Sequence, residues 1–247
     1  MCFMRSYGKT DKGIKRARNE DTIFYSDQSI GNLPNLYIIA DGMGGHNAGA
    51  FASEYSVKGF VDFVKKATWD NPVKIIEDGI CSVNQMVHEK SSEEEYYKMG
   101  TTFVVSTIIQ KKLYIGNIGD SRLYIIRNKE IQKITKDHSL VEEMVHTGHL
   151  TEDEANSHPK KNIITRAIGA EKTIIVDIYE VELESDDLIL MCSDGLTNML
   201  SHKEISNILE DGSFLEDKVK QLISRANELG GNDNISVIII KTDIDER

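Results

Sequence analysis

The apolar positions of this chain follow two rhythms, and the switch between them predicts its elements. Short, nearly unbroken apolar runs read as strands: Thr22 to Tyr25, Leu36 to Ala40, Thr101 to Ile109, Leu113 to Ile118, Arg122 to Arg127, Glu130 to Ile134, Ile174 to Leu183, Leu188 to Ser193 and Ile235 to Lys241. Lys111-Lys112 and Asn128-Lys129 are two-residue hairpin candidates, so 101–134 reads as an antiparallel meander. The polar stretch Lys15 to Asp21 reads as a loop or edge feeding the first strand.

Helical periodicity takes over elsewhere. Phe51, Tyr55, Val57, Phe60, Val61 and Val64 trace one face of a helix from Ala48 to about Lys66. Pro72 suits a helix start, and Val73, Ile76, Ile80, Val83 and Val87 follow at spacings of 3, 4, 3 and 4. Asp137 can cap a helix carrying Leu140, Val141, Met144 and Val145. Thr151 to Glu154 is a capping box. Further helices are predicted over Lys203 to Glu210 and Phe214 to Leu229. The order of elements is not a βαβ alternation, which disfavours a doubly wound parallel sheet. It fits an α+β fold: a four-layer α-β-β-α sandwich, two mostly antiparallel β-sheets flanked by pairs of helices.

Composition narrows this picture. The 247 residues are 40% hydrophobic and 28% charged, with only 3 Pro, so one domain over 1–247 is expected, without a linker. Lys+Arg 29 against Asp+Glu 40 gives a net charge of -11, which argues against a nucleic-acid partner. Neither a signal peptide nor an apolar run near the roughly 20 residues of a membrane span is present, so a cytoplasmic protein that uses no membrane is expected. Cys2, Cys81 and Cys192 are odd in number and scattered, which supports neither a disulfide framework nor a zinc site. Cys192 reads as a buried thiol. No helical stripe is left over for a partner, so a monomer is expected.

The chemistry collects at strand ends. Asp41, Asp120, Asp194 and Asp233 each sit beside glycine at the end of an apolar run. One such Asp is an ordinary turn residue. Four of them, if the strands lie side by side, make a like-charge cluster that needs cations. Oxygen-only ligands suit Mg²⁺ or Mn²⁺.

These blocks carry a resemblance. Asp41-Gly-Met-Gly-Gly-His46, Gly116-Asn-Ile-Gly-Asp-Ser-Arg122, Cys192-Ser-Asp-Gly-Leu196 and Gly231-Asn-Asp-Asn-Ile-Ser236 are similar, in order, to the signature blocks of the metal-dependent PPM (PP2C-type) protein Ser/Thr phosphatases. Arg16-Ala-Arg-Asn-Glu-Asp21 and Gly100-Thr-Thr102 match two more, and the compact length resembles the bacterial PrpC/Stp-like branch. The resemblance implies hydrolysis of phosphoserine and phosphothreonine by a metal-bridging hydroxide at two core Mn²⁺ or Mg²⁺ ions, with a weaker third in bacterial members. It also implies a bacterial Ser/Thr kinase whose action is opposed.

Residue by residue, Asp41 and the carbonyl of Gly42 resemble core-metal ligands, as do Asp194 and Asp233. Asp120 with Asp194 resembles the pair that holds the third ion. Glu20 and Asp21 match positions acting through metal-bound water, Arg16 the arginine that receives phosphate, and Thr102 and Asn234 supporting positions. The stretch 146–170 matches a mobile flap, where His158, Lys160 and Lys161 are candidates to touch substrate. Met43 departs from eukaryotic relatives, which carry a histidine general acid there; for His46, a proton-donor and a structural role both stay open. Two other readings remain in view: a catalytically inactive binding module of the same fold, and a metal-dependent phosphohydrolase of small molecules.

Overall fold

The computed structural model describes residues 3–45 and 47–243. Its strands are β1 (Phe3–Asp11), β2 (Asp21–Ser26), β3 (Leu36–Met43), β4 (Gly100–Thr101), β5 (Phe103–Ile109), β6 (Lys112–Ile118), β7 (Arg122–Arg127), β8 (Glu130–Lys133), β9 (Asp177–Glu182), β10 (Leu188–Cys192) and β11 (Ile235–Asp243). Its helices are α1 (Ala48–Lys66), α2 (Pro72–Lys90), α3 (Leu140–His146), α4 (Glu152–Ser157), α5 (Asp194–Thr197), α6 (His202–Leu209) and α7 (Leu215–Glu228). One sheet runs β1-β11-β10-β7-β8; the other runs β2-β3-β5-β6-β9, with β4 paired to β3. The pairings are antiparallel.

The unbroken apolar runs have a simple cause: both faces of the central strands are covered. Along β3, Leu36, Ile38 and Ala40 face α1 and α2, whereas Tyr37 and Ile39 face the other sheet. In β11, Val237 and Ile239 pack under α5, α6 and α7 while Ile238 and Ile240 meet the opposite sheet. Successive strand residues point to opposite faces, so two covered faces demand apolar residues at every position. This gives the expected α-β-β-α layering, with one core between the sheets and one under each helix layer. Among the described residues, no helix is long and apolar enough to cross a membrane.

Several local expectations are corrected. The run 101–134 is not a single meander: β5 pairs with β6 in one sheet and β7 with β8 in the other, so the chain changes sheets between Ile118 and Arg122, which lets both sheets be covered by helices. β1 was not anticipated, because it is an edge strand that alternates weakly, with Ser6, Gly8 and Thr10 among its residues. Gly8 is required there: a Cβ would come within 2.9 Å of the Tyr25 ring. Ser139, not Asp137, caps α3, accepting from the Glu142 amide at 3.3 Å. Asp137 instead takes two bonds from Arg122, at 2.9 and 2.7 Å. The first hairpin turns at Gln110-Lys111, one residue earlier than expected. Asn128-Lys129 turns where predicted, both residues at positive φ as a type I′ turn requires. β9 starts only at Asp177; Ile174 and Val176 pack against the α1/α2 core before the strand begins.

The register places the chemistry. Asp21 opens β2 directly opposite Asp41 near the end of β3. Antiparallel pairing of Cys192 with Val237 brings the exit of β10 beside the entry of β11. Asp194 and Asp233 therefore lie at one sheet end, on the segments flanking these strands.

Candidate metal and phosphate site

The backbone around Asp41 is held from three directions. Its N–H donates to Thr102 Oγ1 at 2.9 Å, and its carbonyl accepts from the Thr102 amide at 2.8 Å and from Thr101 Oγ1 at 2.9 Å. Thr102 Oγ1 also shares a 2.7 Å bond with Ser121 Oγ, so the turn carrying Asp120 is tied to the strand carrying Asp41. Gly42 donates its N–H to the Glu20 carbonyl at 3.1 Å, and a Cβ on Gly42 would run into the Gly49 carbonyl at the start of α1. Only glycine permits this approach of backbone to backbone.

Asn234 fastens the loop before β2. Its Oδ1 accepts from the Glu20 amide at 2.8 Å, and its Nδ2 donates to the Lys12 and Arg18 carbonyls, each at 2.8 Å. The buried Asp21 accepts through Oδ2 from Ser193 Oγ at 2.8 Å and Ser236 Oγ at 2.6 Å. Asp194 opens the one-turn α5 and accepts from Asn198 Nδ2 at 2.9 Å. Arg16 Nη2 donates to Asp233 Oδ2 at 2.7 Å, while its side chain stays 50% exposed and so accessible to a ligand.

Electrostatics mark these carboxylates as a group. Burial is the first cause that pushes Asp194 up to about 6, Asp21 to about 7 and Asp120 to about 8. Neighbouring carboxylates add to it: Asp233 for Asp194, Asp194 for Asp120, Asp194 and Asp233 for Asp21. Asp41 is raised well above the usual range, again by burial first, then by Asp21, Asp194, Asp120 and Asp233. Glu20 is raised by burial too.

Whether such a group suits divalent cations can be tested on its own atoms. Two buried carboxylate oxygens, Asp21 Oδ1 and Asp194 Oδ1, have no hydrogen-bond partner among the described residues, an unfavourable state unless another electropositive partner is supplied. The donors are all oxygens, the set that hard Mg²⁺ or Mn²⁺ prefers. Among the described residues, no three His, Cys, Asp or Glu side chains are already closed into a metal-ligating group. The residues fit the ions.

The remaining candidates separate. A cleft of about 700 Å³ begins at Asp120 and Asp194 and runs between the 139–162 region and α5 and α6. Lys161 lines it, whereas His158 and Lys160 do not. His158 Nδ1 instead accepts the Lys160 amide at 3.1 Å. His46 lies outside the described residues. Cys192 is fully buried, and burial pushes its thiol up to about 12, which removes it as a nucleophile. Sequence reasoning did not assign Ser193 and Ser236, although both stand inside the quoted blocks. A serine one residue before Asp194 and another two after Asn234 was the available signal.

Known proteins resemble this chain over nearly its whole length. The family model described as protein phosphatase 2C matches residues 13–237. The serine/threonine phosphatase stp of Listeria monocytogenes is 38% identical, over 99% of this chain and 98% of its own. The solved serine/threonine phosphatase of S. agalactiae superposes with a TM-score of 0.90 at 38% identity, covering 96% of this chain and 99% of that one. The catalytic domain of the serine threonine protein phosphatase PstP, in complex with 2 manganese ions, gives a TM-score of 0.87 at 27% identity, covering 98% of this chain and 100% of that one. With a family match across most of its length and relatives this similar end to end, the chain belongs to the protein phosphatase 2C family.

Proposed function

We infer that this chain is a metal-dependent protein phosphatase, one domain over 1–247, that hydrolyses phosphoserine and phosphothreonine in proteins. The observation that carries the reading is the gathering of buried, mutually repelling carboxylates at one sheet end with an accessible guanidinium beside them. The relatives' names and the manganese pair of the PstP domain support it. Asp41, Asp194 and Asp233, with the Gly42 carbonyl, would hold a Mn²⁺ or Mg²⁺ pair, and Asp120 with Asp194 a weaker third ion. When bound, such ions lower the pKa of water to give a nucleophile near neutral pH and neutralise charge on phosphoryl oxygens.

The chain's own groups do the rest. Arg16 offers a planar pair of donors to two non-bridging phosphate oxygens, fixing the phosphorus for in-line attack. Thr102 fixes the Asp41 backbone, and Asn234 fixes Glu20 and the loop that bears Arg16. Glu20 and Asp21 act at one remove, through water. The 146–170 stretch serves as a flap, with Lys161 on the cleft as its candidate contact to substrate; His158 and Lys160 are assigned to its surface. A cytoplasmic monomer opposing a Ser/Thr kinase completes the reading.

The test is phosphate release from phosphoserine and phosphothreonine peptides after chelation and return of Mn²⁺ or Mg²⁺, with nucleoside monophosphates in parallel. Peptide hydrolysis supports the reading. Preference for nucleotides would favour a small-molecule phosphohydrolase, and no release from either would favour an inactive module.

Two further outcomes are expected. His46→Ala should slow alkyl phosphates more than activated aryl phosphates, whose leaving groups need no proton; equal loss on both counts against a proton-donor role. The raised acids also set a pH dependence. Their folded pKa values exceed their unfolded ones, so in the cation-free protein the stability these acids contribute is full below the ordinary carboxylate value of 3.8 and is lost as pH climbs from there through about 6 to 8. Cations that bind the ionised cluster reverse the loss. At about a hundredfold excess over Kd, Mn²⁺ should raise Tm by roughly 5–10 °C at pH 8 and far less at pH 5, as thermal unfolding at the two pH values would show.

A further inference from the structure

Outside the carboxylate cluster, the buried side chain with the most consequential contacts is His138. The ring is 4% exposed. Its Nδ1 lies 3.0 Å from the Gly119 amide nitrogen, and its own backbone N–H donates to the Gly119 carbonyl at 2.9 Å. Both polar backbone groups of the residue before Asp120 therefore end on one histidine. A backbone amide can only donate, so Nδ1 must be the unprotonated nitrogen and the ring proton sits on Nε2. Nε2 faces Asp177, 3.1 Å from Oδ2, though out of line for a straight hydrogen bond. The other oxygen of Asp177 accepts from Arg166 Nη1 at 2.6 Å.

Gly119 has little freedom of its own. It turns at φ +97, and a Cβ would come within 2.7 Å of Thr102, the residue that also holds the Asp41 backbone. The turn is wedged between Thr102 on one side and the His138 ring on the other. The carbonyl of His138 accepts the Thr165 amide at 2.8 Å, and the next residues bridge Ser139 with Ile164 and Leu140 with Ile163. His138 thus stands where the returning end of the 146–170 segment meets the Asp120 turn.

We propose that His138 is a positioning residue for Asp120: its Nδ1 fixes the Gly119 turn that aims this carboxylate, and its neighbours tie that turn to the Arg166 end of the flap. The proposal rests on the reading of Asp120 as a ligand of the weakest ion. Groups that orient ligands through a second contact commonly change metal affinity by about ten- to a hundredfold.

Two substitutions separate the ring's nitrogens. In His138→Asn the side-chain oxygen stands near the place of Nδ1 and can still accept from Gly119. In His138→Gln the amide nitrogen stands near the place of Nε2, and the Gly119 acceptor is lost. The experiment measures amide exchange at Gly119 by NMR and Mn²⁺ binding by calorimetry on the full chain, with Asp120→Ala as reference. H138Q should lose Gly119 protection and weaken the last Mn²⁺ site about tenfold, while H138N keeps both. Wild-type protection and binding in H138Q, or loss of both in H138N, overturns the proposal; if H138Q does not fold, H138N decides alone. An Asp120→Ala variant that binds Mn²⁺ like the wild type would overturn the Asp120 assignment and the His138 proposal with it, while leaving the core-metal reading intact. An altered Asp120→Ala beside an unaltered H138Q would overturn the His138 role alone.

Discussion

Replacing Asp41 with Asn should cut turnover severely while leaving the protein folded. Asparagine matches the shape of aspartate, and the contacts that fix this residue are made by its backbone to Thr101 and Thr102, so they survive the change. What disappears is a negative charge at the centre of the carboxylate group. The ions that Asp41 would help to hold would lose a principal ligand, and kcat/KM should fall on the order of a thousandfold, about 4 kcal/mol of transition-state stabilisation. Stability should move the other way. The Asp41 carboxyl is held well above its normal range by burial and by Asp21, Asp194, Asp120 and Asp233. Without cations at pH 8, Asp41→Asn should therefore unfold at a higher temperature than the wild type, and Mn²⁺ should stabilise it far less. A variant with unimpaired turnover would remove Asp41 from the metal site.

Arg16→Ala should act on substrate rather than on metal. The guanidinium is bonded to Asp233 but half exposed, and its pKa is raised first by that hydrogen bond. Asp233 is one of the residues proposed to face the ions, so engaging them would loosen its hold on Arg16 and leave the planar donors free for phosphate. Losing one such charged grip should lower kcat/KM about a hundredfold or more. Lysine should recover only part of this, because a point charge cannot reproduce a two-pronged contact. Mn²⁺ binding, read by calorimetry, should change little. If Arg16→Ala were silent on phosphopeptides, the residue would be an ordinary surface arginine.

Most strands were legible for a physical reason, whereas their partners were not, since β6 and β7 follow each other in the chain yet pair into different sheets. β3, β10 and β11 are covered on both faces, so their runs are apolar at every position and announce themselves without reference to the rest of the chain. The four aspartates were legible as strand ends beside glycine, and the blocks around them supplied their order. What stayed hidden depends on closeness that linear spacing does not encode. Ser193 and Ser236 share one carboxylate oxygen of Asp21, across separations of 172 and 215 residues. His138 was not singled out, because its ring matters only through the chain's return to Gly119. β1 was missed because an edge strand can satisfy itself with half-polar residues, and Gly8 sits in it for contact with Tyr25 rather than for a turn.

The most direct test follows phosphate release from a phosphothreonine peptide as Mn²⁺ is titrated into metal-stripped protein, for the wild type and Asp194→Ala side by side. Asp194 is shared by the core pair and the third site in this account, and one of its buried oxygens has no hydrogen-bond partner among the described residues. The wild type should be inactive at first and gain activity as the cation is added, and Asp194→Ala should remain near baseline throughout. Hydrolysis by the stripped wild type, or an Asp194→Ala curve that overlays the wild type, would contradict the carboxylate-metal origin of the activity.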